Sequence, residues 1–201
     1  MLFRSEDTLN DGLGLRISLA GERLHKHLAR QRAMTGRTGC GVCGIDDIEA
    51  LRRARVAAGE APHVALAAID RALDALDAGQ VLNQATRAVH GAAWATLDGD
   101  IALVREDVGR HNALDKLIGA CLRAGRDPRG GFIVVTSRAS FEMVEKGATF
   151  GCRTLVAISA PTALAIDRAR ALDVTLAGIA RADSVTVFHG AGRVIAEAAS
   201  T

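Results

Sequence analysis

Apolar positions in the second half of the chain switch repeatedly between helical and strand spacing. Leu114, Leu117, Ile118 and Cys121 recur at intervals of three and four and predict one face of a helix, whereas Phe132–Thr136 has the short apolar run of a strand buried on both faces. The alternation continues with a helix over Phe141–Phe150, a strand over Leu155–Ser159 and a helix over Thr162–Leu172. A strand over Val174–Ile179 and a short one over Val185–Phe188 complete it. Such a β-α-β-α-β succession implies right-handed crossovers and a mixed, largely parallel sheet with helices on both faces.

The first half is less regular. Residues 1 to about 12 read as loosely ordered, Leu15–Leu19 as a weak edge strand, and Glu22–Met34 as a helix with Leu24, Leu28 and Gln31 on one side. Thr35–Gly44 (TGRTGCGVCG) holds four glycines in ten residues and predicts a mobile loop. Asp46 and Glu49 have capping-box spacing ahead of Ile48, Leu51 and Val56. A further helix is expected over Val64–Leu76, then strands over Ala92–Leu97 and Ile101–Arg105 on either side of Asp98-Gly99-Asp100, a hairpin signal. The division this suggests is residues 1–45, an amino-terminal remnant with the cysteine loop, and residues 46–201, an α/β domain.

Composition narrows the functional classes. With 49% apolar residues the 201-residue chain can bury a core, while 3% aromatics and no tyrosine leave few platforms for stacking bases of single-stranded nucleic acid. A net charge of +2 supplies no general field for nucleic acid or an acidic membrane. The start, MLFRSEDTLNDG, is too polar for a signal peptide, and no apolar run reaches spanning length. The expectation is a cytoplasmic protein with no nucleic-acid or membrane partner, whose four cysteines stay reduced.

In an open α/β sheet, ligands bind beyond the carboxyl ends of the strands. Thr136–Ser140 and Ser159–Thr162 fall at such ends and lead into helices, whose free N–H groups favour an anion. Arg138 adds a fork-shaped donor for phosphate. Ser140 and Ser159 are candidate helix caps, Ser159 reading equally as a cap or a ligand contact, and Pro161 suits a first helical turn. Glu106–Asn112 (EDVGRHN) packs six polar or glycine residues into seven positions before a helix. Projected along that helix, His111 shares the stripe of Leu114 and Ile118 and faces inward. Alone it would read as a core histidine held by Asp107 or Asp115. With Asp107, Arg110 and Asn112 adjacent, His111 and Asp107 are taken as site residues. His90 is a weaker candidate, and Trp94 reads as core.

Cys40 and Cys43 form a single CxxC, and Cys121 and Cys152 stand apart. A structural zinc site needs four ligands, and no second pair exists, so no structural metal is expected. A helix follows the motif and would lower a thiol pKa, as dithiol exchange requires, but flanking glycines hold fixed geometry poorly. Sulfur carriage suits a swinging loop: a thiolate accepts the outer sulfur of a persulfide, and the second cysteine takes it over or releases it by forming a disulfide. Chemistry alone leaves carriage and redox exchange both open.

Together these segments resemble the FdhD/NarQ family of formate dehydrogenase accessory sulfurtransferases. Thr35–Gly44 resembles its cysteine loop and Glu106–Lys116 (EDVGRHNALDK) its most distinctive run; Ser137–Val144 and Ser159–Thr162 are similar to two further family segments. The resemblance covers Gly36 to about Phe188. It implies a three-layer, cytidine-deaminase-like α/β fold, a homodimer, a cysteine desulfurase as sulfur donor and the formate dehydrogenase catalytic subunit as client. It further implies that persulfide sulfur passes to a molybdenum bis(molybdopterin guanine dinucleotide) cofactor, with GDP or GMP able to occupy the nucleotide site. Carried over, Cys40 bears the persulfide with Cys43 as its partner, and the cofactor-binding stretch falls on Ile179, Ala180, Arg181, Ala182, Asp183 and Ser184. To these the strand-end reading adds Arg138, Ser140, Ser159, Asp107 and His111.

The sequence departs from the family pattern in three places. Only the tail of the family's amino-terminal segment precedes the cysteine loop, a glycine-rich lead-in is replaced by Thr86–His90, and Asp183 puts a negative charge in a stretch that is basic in the family. A deaminase would need His-x-Glu and Pro-Cys-x-x-Cys, but Gly91-Ala92 follows His90 and no proline precedes Cys40. The second reading is a non-catalytic molybdenum-cofactor chaperone that binds the guanine nucleotide without sulfur transfer.

Overall fold

The computed structural model describes residues 2–9, 12–18, 59–181 and 184–196. The chain divides into two compact units, residues 1–50 and 51–201. In the first, β1 (Leu2–Leu9) and β2 (Gly12–Ser18) pair antiparallel, with a register shift between Ser5 and Thr8. The stretch read as loosely ordered is thus a strand. Leu2–Leu9 has no period-two hydropathy, and its pairing comes from the backbone, which a hydrophobic pattern does not record. The helices expected over Glu22–Met34 and from Asp46, and the cysteine loop, lie outside the described residues.

The second unit is built on a six-stranded mixed sheet. Its strands are β4 (His90–Thr96), β5 (Ile101–Asp107), β6 (Gly131–Val135), β7 (Thr154–Ala157), β8 (Thr175–Arg181) and β9 (Ser184–His189), in the order β5-β4-β6-β7-β8-β9. β4 is antiparallel to both β5 and β6, while β6, β7 and β8 are mutually parallel and β9 turns back along β8. Four of the six strands, β5 to β8, therefore run the same way. The predicted hairpin is present, with Thr96 N–H donating to the Asp100 carbonyl at 3.0 Å.

Helices cover both faces. One face carries α3 (Arg110–Arg123), α4 (Phe141–Phe150) and α5 (Ala163–Ala171); the other carries α1 (Leu66–Leu76). Strand periodicity assigns the side chains. Ala92, Trp94, Ile133, Val135 and Leu155 join Leu114, Leu117, Met143 and Val144 in one core, whereas Ala93, Phe132, Val134 and Val156 meet Ile69, Ala72 and Leu76 in the other. All five residues of β6 are buried, as its apolar run predicts. The helix expected over Val64–Leu76 begins two residues later, because Val64 and Ala65 form β3, parallel to β10 (Val194–Ile195). A short helix, α2 (Val81–Thr86), has no apolar stripe to announce it; its N-terminus is held by Glu106, whose carboxylate accepts from Leu82 N and Asn83 N at 2.8 Å each. No helix among the described residues is long and apolar enough to cross a membrane.

At the amino edge of the parallel strands, the buried Arg153 donates to the Gly59 carbonyl at 2.7 Å and pairs with Asp173. Arg193 donates to the other Asp173 oxygen at 2.8 Å. The Arg193 hydrogen bond, with charge from both arginines, holds the Asp173 carboxyl below the usual carboxylate range. A depressed folded pKa stabilises above the unfolded value, and that stability is lost as pH falls through the folded one. Asp173→Asn should therefore lower urea stability at pH 7 and flatten its decline on the acid side of about pH 4. A Cβ added at Gly131 would run into the Ala95 carbonyl and would lie 2.8 Å from Trp94 Cζ2. Gly131→Ala should cost about 3 kcal/mol of unfolding free energy, since neither backbone nor buried ring can give way.

Candidate functional site

The strand directions gather the candidate residues along one edge. β5 to β8 end there, and the antiparallel β4 and β9 begin there, so Asp107, Thr136, Ile158, Ile179, His90 and Ser184 all belong to the same side of the sheet. α3, α4 and α5 start from the loops on that edge and point their positive ends towards it.

A row of hydrogen bonds ties the loops together. Gly91 N donates to Thr136 Oγ1 at 2.9 Å, and Thr136 N to the Gly91 carbonyl at 3.0 Å. Thr162 N donates to the Ala139 carbonyl at 3.0 Å, and Ile179 N to the Ser159 carbonyl at 3.3 Å. Gly178 lets the Ser159–Pro161 loop lie this close: a Cβ there would sit 2.9 Å from Pro161 Cδ and 3.2 Å from the Ser159 carbonyl. Ile179, next in sequence, is half-exposed with φ of +53°, a left-handed conformation costly for a β-branched residue.

Two of the expected caps differ in role. Ser140 holds the N-cap position of α4, but its side chain makes no capping bond; its hydroxyl lies 3.2 Å from His111 Nε2 instead. Thr162, not Ser159, caps α5, accepting from Ala165 N at 3.2 Å, and Pro161 stands just before the cap. A sequence of Ser, Pro and Thr offers several cap registers, and only the backbone conformation chooses among them.

Asp107 is held firmly. Its Oδ1 accepts from Gly109 N at 2.9 Å and Asn112 Nδ2 at 3.2 Å, and Lys116 Nζ lies 2.5 Å from Oδ2. The Lys116 bond, followed by that of Gly109, keeps this carboxyl below its ordinary range. Asp107 thus shapes the entry to α3 and presents a spent carboxylate to the edge. His111, with its side chain 12% exposed, faces inward from the first turn of α3, as its stripe predicts. Burial and then the Arg110 charge press its pKa below the usual imidazole value, Lys146 adding to this while Glu142 and Asp115 oppose it.

The arginines are of two kinds. Arg181 turns back on the fold, donating to the carbonyls of Ile158 at 2.6 Å and Ala180 at 2.9 Å. Arg138 is exposed, and Arg110 has a buried Nε; neither finds an acceptor among the described residues. Unspent guanidinium groups beside three helix N-termini give the edge the chemistry that could hold an anion. Sequence reasoning passed over Gln80 and Glu142. Gln80 is 5% exposed, lies over Gly91 and has no partner for Oε1, and no motif marks it. Glu142 follows Ser140 by two residues in the first turn of α4 and is buried beside His111. Only its place within Ser137–Val144 could have pointed to it.

Cys40, Cys43, Ala182 and Asp183 lie outside the described residues. The two described cysteines are fully buried, and burial pushes the Cys152 thiol up to about 12 and raises that of Cys121. Neither offers a thiolate at neutral pH. Among the described residues no cluster of His, Cys, Asp or Glu could hold a metal ion.

The chain is 45% identical over 190 residues to the sulfur carrier protein FdhD of Bordetella parapertussis, covering 94% of this chain and 69% of that protein. It is 50% identical over 182 residues to the protein of the same name from Xanthomonas campestris pv. campestris strain B100, covering 90% and 65%. The chain thus spans about two thirds of these relatives' length. A solved structure, a formate dehydrogenase accessory protein from Desulfotalea psychrophila, superposes with a TM-score of 0.64 at 27% identity, covering 72% of this chain and 61% of that one. The family model for FdhD/NarQ matches residues 5–195, and with it the mixed sheet, the strand-end loops and the Glu106–Lys116 run find their common explanation: the chain belongs to the FdhD/NarQ family.

Proposed function

We propose that the protein is a sulfur carrier in the maturation of formate dehydrogenase. It takes persulfide sulfur from a cysteine desulfurase on Cys40, with Cys43 as the exchanging thiol. It delivers that sulfur to a molybdenum bis(molybdopterin guanine dinucleotide) cofactor destined for the formate dehydrogenase catalytic subunit. On this reading it is a sulfurtransferase and works as a cytoplasmic homodimer. The names of its relatives support the sulfur-carrier role. The burial of Cys121 and Cys152 supports it from the other side, because the sulfur chemistry then falls to the CxxC.

The single observation that carries the nucleotide part is the pair of unspent arginines, Arg110 and Arg138, on an edge where α3, α4 and α5 begin. Such an edge suits the diphosphate of a guanine nucleotide. Ser140, Ser159, Ile179, Ala180, Arg181 and Ser184 border the same edge, with Asp107 fixing the loop before α3.

Persulfide trapping tests the carrier role. After incubation with a cysteine desulfurase and cysteine, then alkylation, the peptide holding Cys40 and Cys43 should gain one sulfur atom, and the gain should vanish in Cys40→Ala. Cys121 and Cys152 should stay unalkylated while the protein is folded. No added sulfur, with the desulfurase active on another acceptor, would favour the cofactor chaperone, which should keep its function in Cys40→Ala. For the nucleotide site, Arg138→Ala should weaken GDP binding roughly tenfold by calorimetry, the loss of one charge-assisted contact. Unchanged affinity would remove Arg138 from the site.

A further inference from the structure

The nucleotide reading counts His111 among its candidate residues and gives no role to its pairing with Glu142. The imidazole sits between two helices, its Nε2 3.2 Å from Ser140 Oγ and 3.9 Å from Glu142 Oε2. Glu142 is only 9% exposed, and no described residue gives it a hydrogen bond. The His111 imidazole is its ionic partner among the described residues. The site therefore holds a buried acceptor of charge next to a group that can become a cation.

We propose that His111 is a phosphate contact that takes up a proton as the anion binds, and that Glu142 is the residue that positions it and favours the charge. This rests on the nucleotide reading above. The proton comes from solvent and ends on an imidazole nitrogen, with no other bond made or broken.

The surrounding charges set the sign. On α3 the imidazole meets Arg110 and Asp115, and on α4 Glu142 and Lys146. Lys146 is already bound to Asp115, at 2.6 and 2.5 Å, and Asp107 of β5 to Lys116. Arg138 stands two residues before Ser140 on the loop into α4. In the free protein, burial and Arg110 press the imidazole towards its neutral form. A phosphate seated on Arg110 and Arg138 cancels the repulsion that keeps the proton off, leaving Glu142 and the ligand both favouring the imidazolium. Binding that takes up a proton strengthens as pH falls, by up to about tenfold per pH unit between the free and bound pKa values.

The test is calorimetry of GDP binding to the full chain over a pH series, in paired buffers of different ionisation heat. GDP's own phosphate titration is common to every variant and cancels in the comparison. The wild type should take up more protons than His111→Gln or His111→Asn, and its affinity should fall more steeply with pH. Glu142→Gln should reduce that uptake while leaving thermal unfolding in place, which a merely structural glutamate would not do. Equal uptake in wild type and both His111 variants would overturn the inference while leaving the nucleotide reading standing. Failure of GDP to bind the wild type at any pH would overturn both.

Discussion

A strand buried on both faces has to find hydrogen-bond partners on both edges, because no water reaches its amides. β6 is that strand here. Its five residues are fully enclosed, and it satisfies its backbone by pairing antiparallel with β4 and parallel with β7. Everything that locates the site follows from this mixed pairing. The reversal between β4 and β6 puts the start of β4 beside the ends of β6, β7 and β8. It also sends β5, antiparallel to β4, to finish at the same edge. Residues far apart in sequence, from His90 to Ser184, are thereby delivered to one line of loops.

That line is electrostatically one-sided in a graded way. Some charges are spent: Asp107 on Lys116 and backbone, Arg181 on carbonyls, Lys146 on Asp115. Others keep capacity for a ligand, chiefly Arg138 and Arg110, and they stand where three helix dipoles begin. The spent groups fix the loops and the unspent ones are left without an acceptor among the described residues. This division of labour also explains why Ser140 abandons its cap. Its hydroxyl binds His111, and so joins the first turn of α3 to the first turn of α4 across the site.

Much of this was legible in the sequence because it is written in hydrophobic period. The run Phe132–Thr136, the stripe Leu114–Cys121 and the helix Phe141–Phe150 are dictated by burial, and the structure places β6, α3 and α4 upon them. The inward face of His111 followed from the same stripe. What the pattern could not show is governed by backbone and by long-range partners. β1 has no alternation to betray it, α2 depends on Glu106 from another strand, and the α5 cap is decided by conformation at Thr162. Gln80 and Glu142 are ordinary polar letters whose burial arises only when the sheet and helices close over them. The cysteine loop was legible as chemistry, and it lies outside the described residues.

The placement of the site at the carboxyl edge is tested most directly by amide chemical-shift mapping of the full chain during a GDP titration. The shifts should concentrate on Arg110–Asn112, Ser137–Phe141, Ser159–Thr162 and Gly178–Arg181, fading towards the Arg153–Asp173 network at the other edge. Shifts centred on that network, or on the exposed Val81–Leu82 surface, would contradict it.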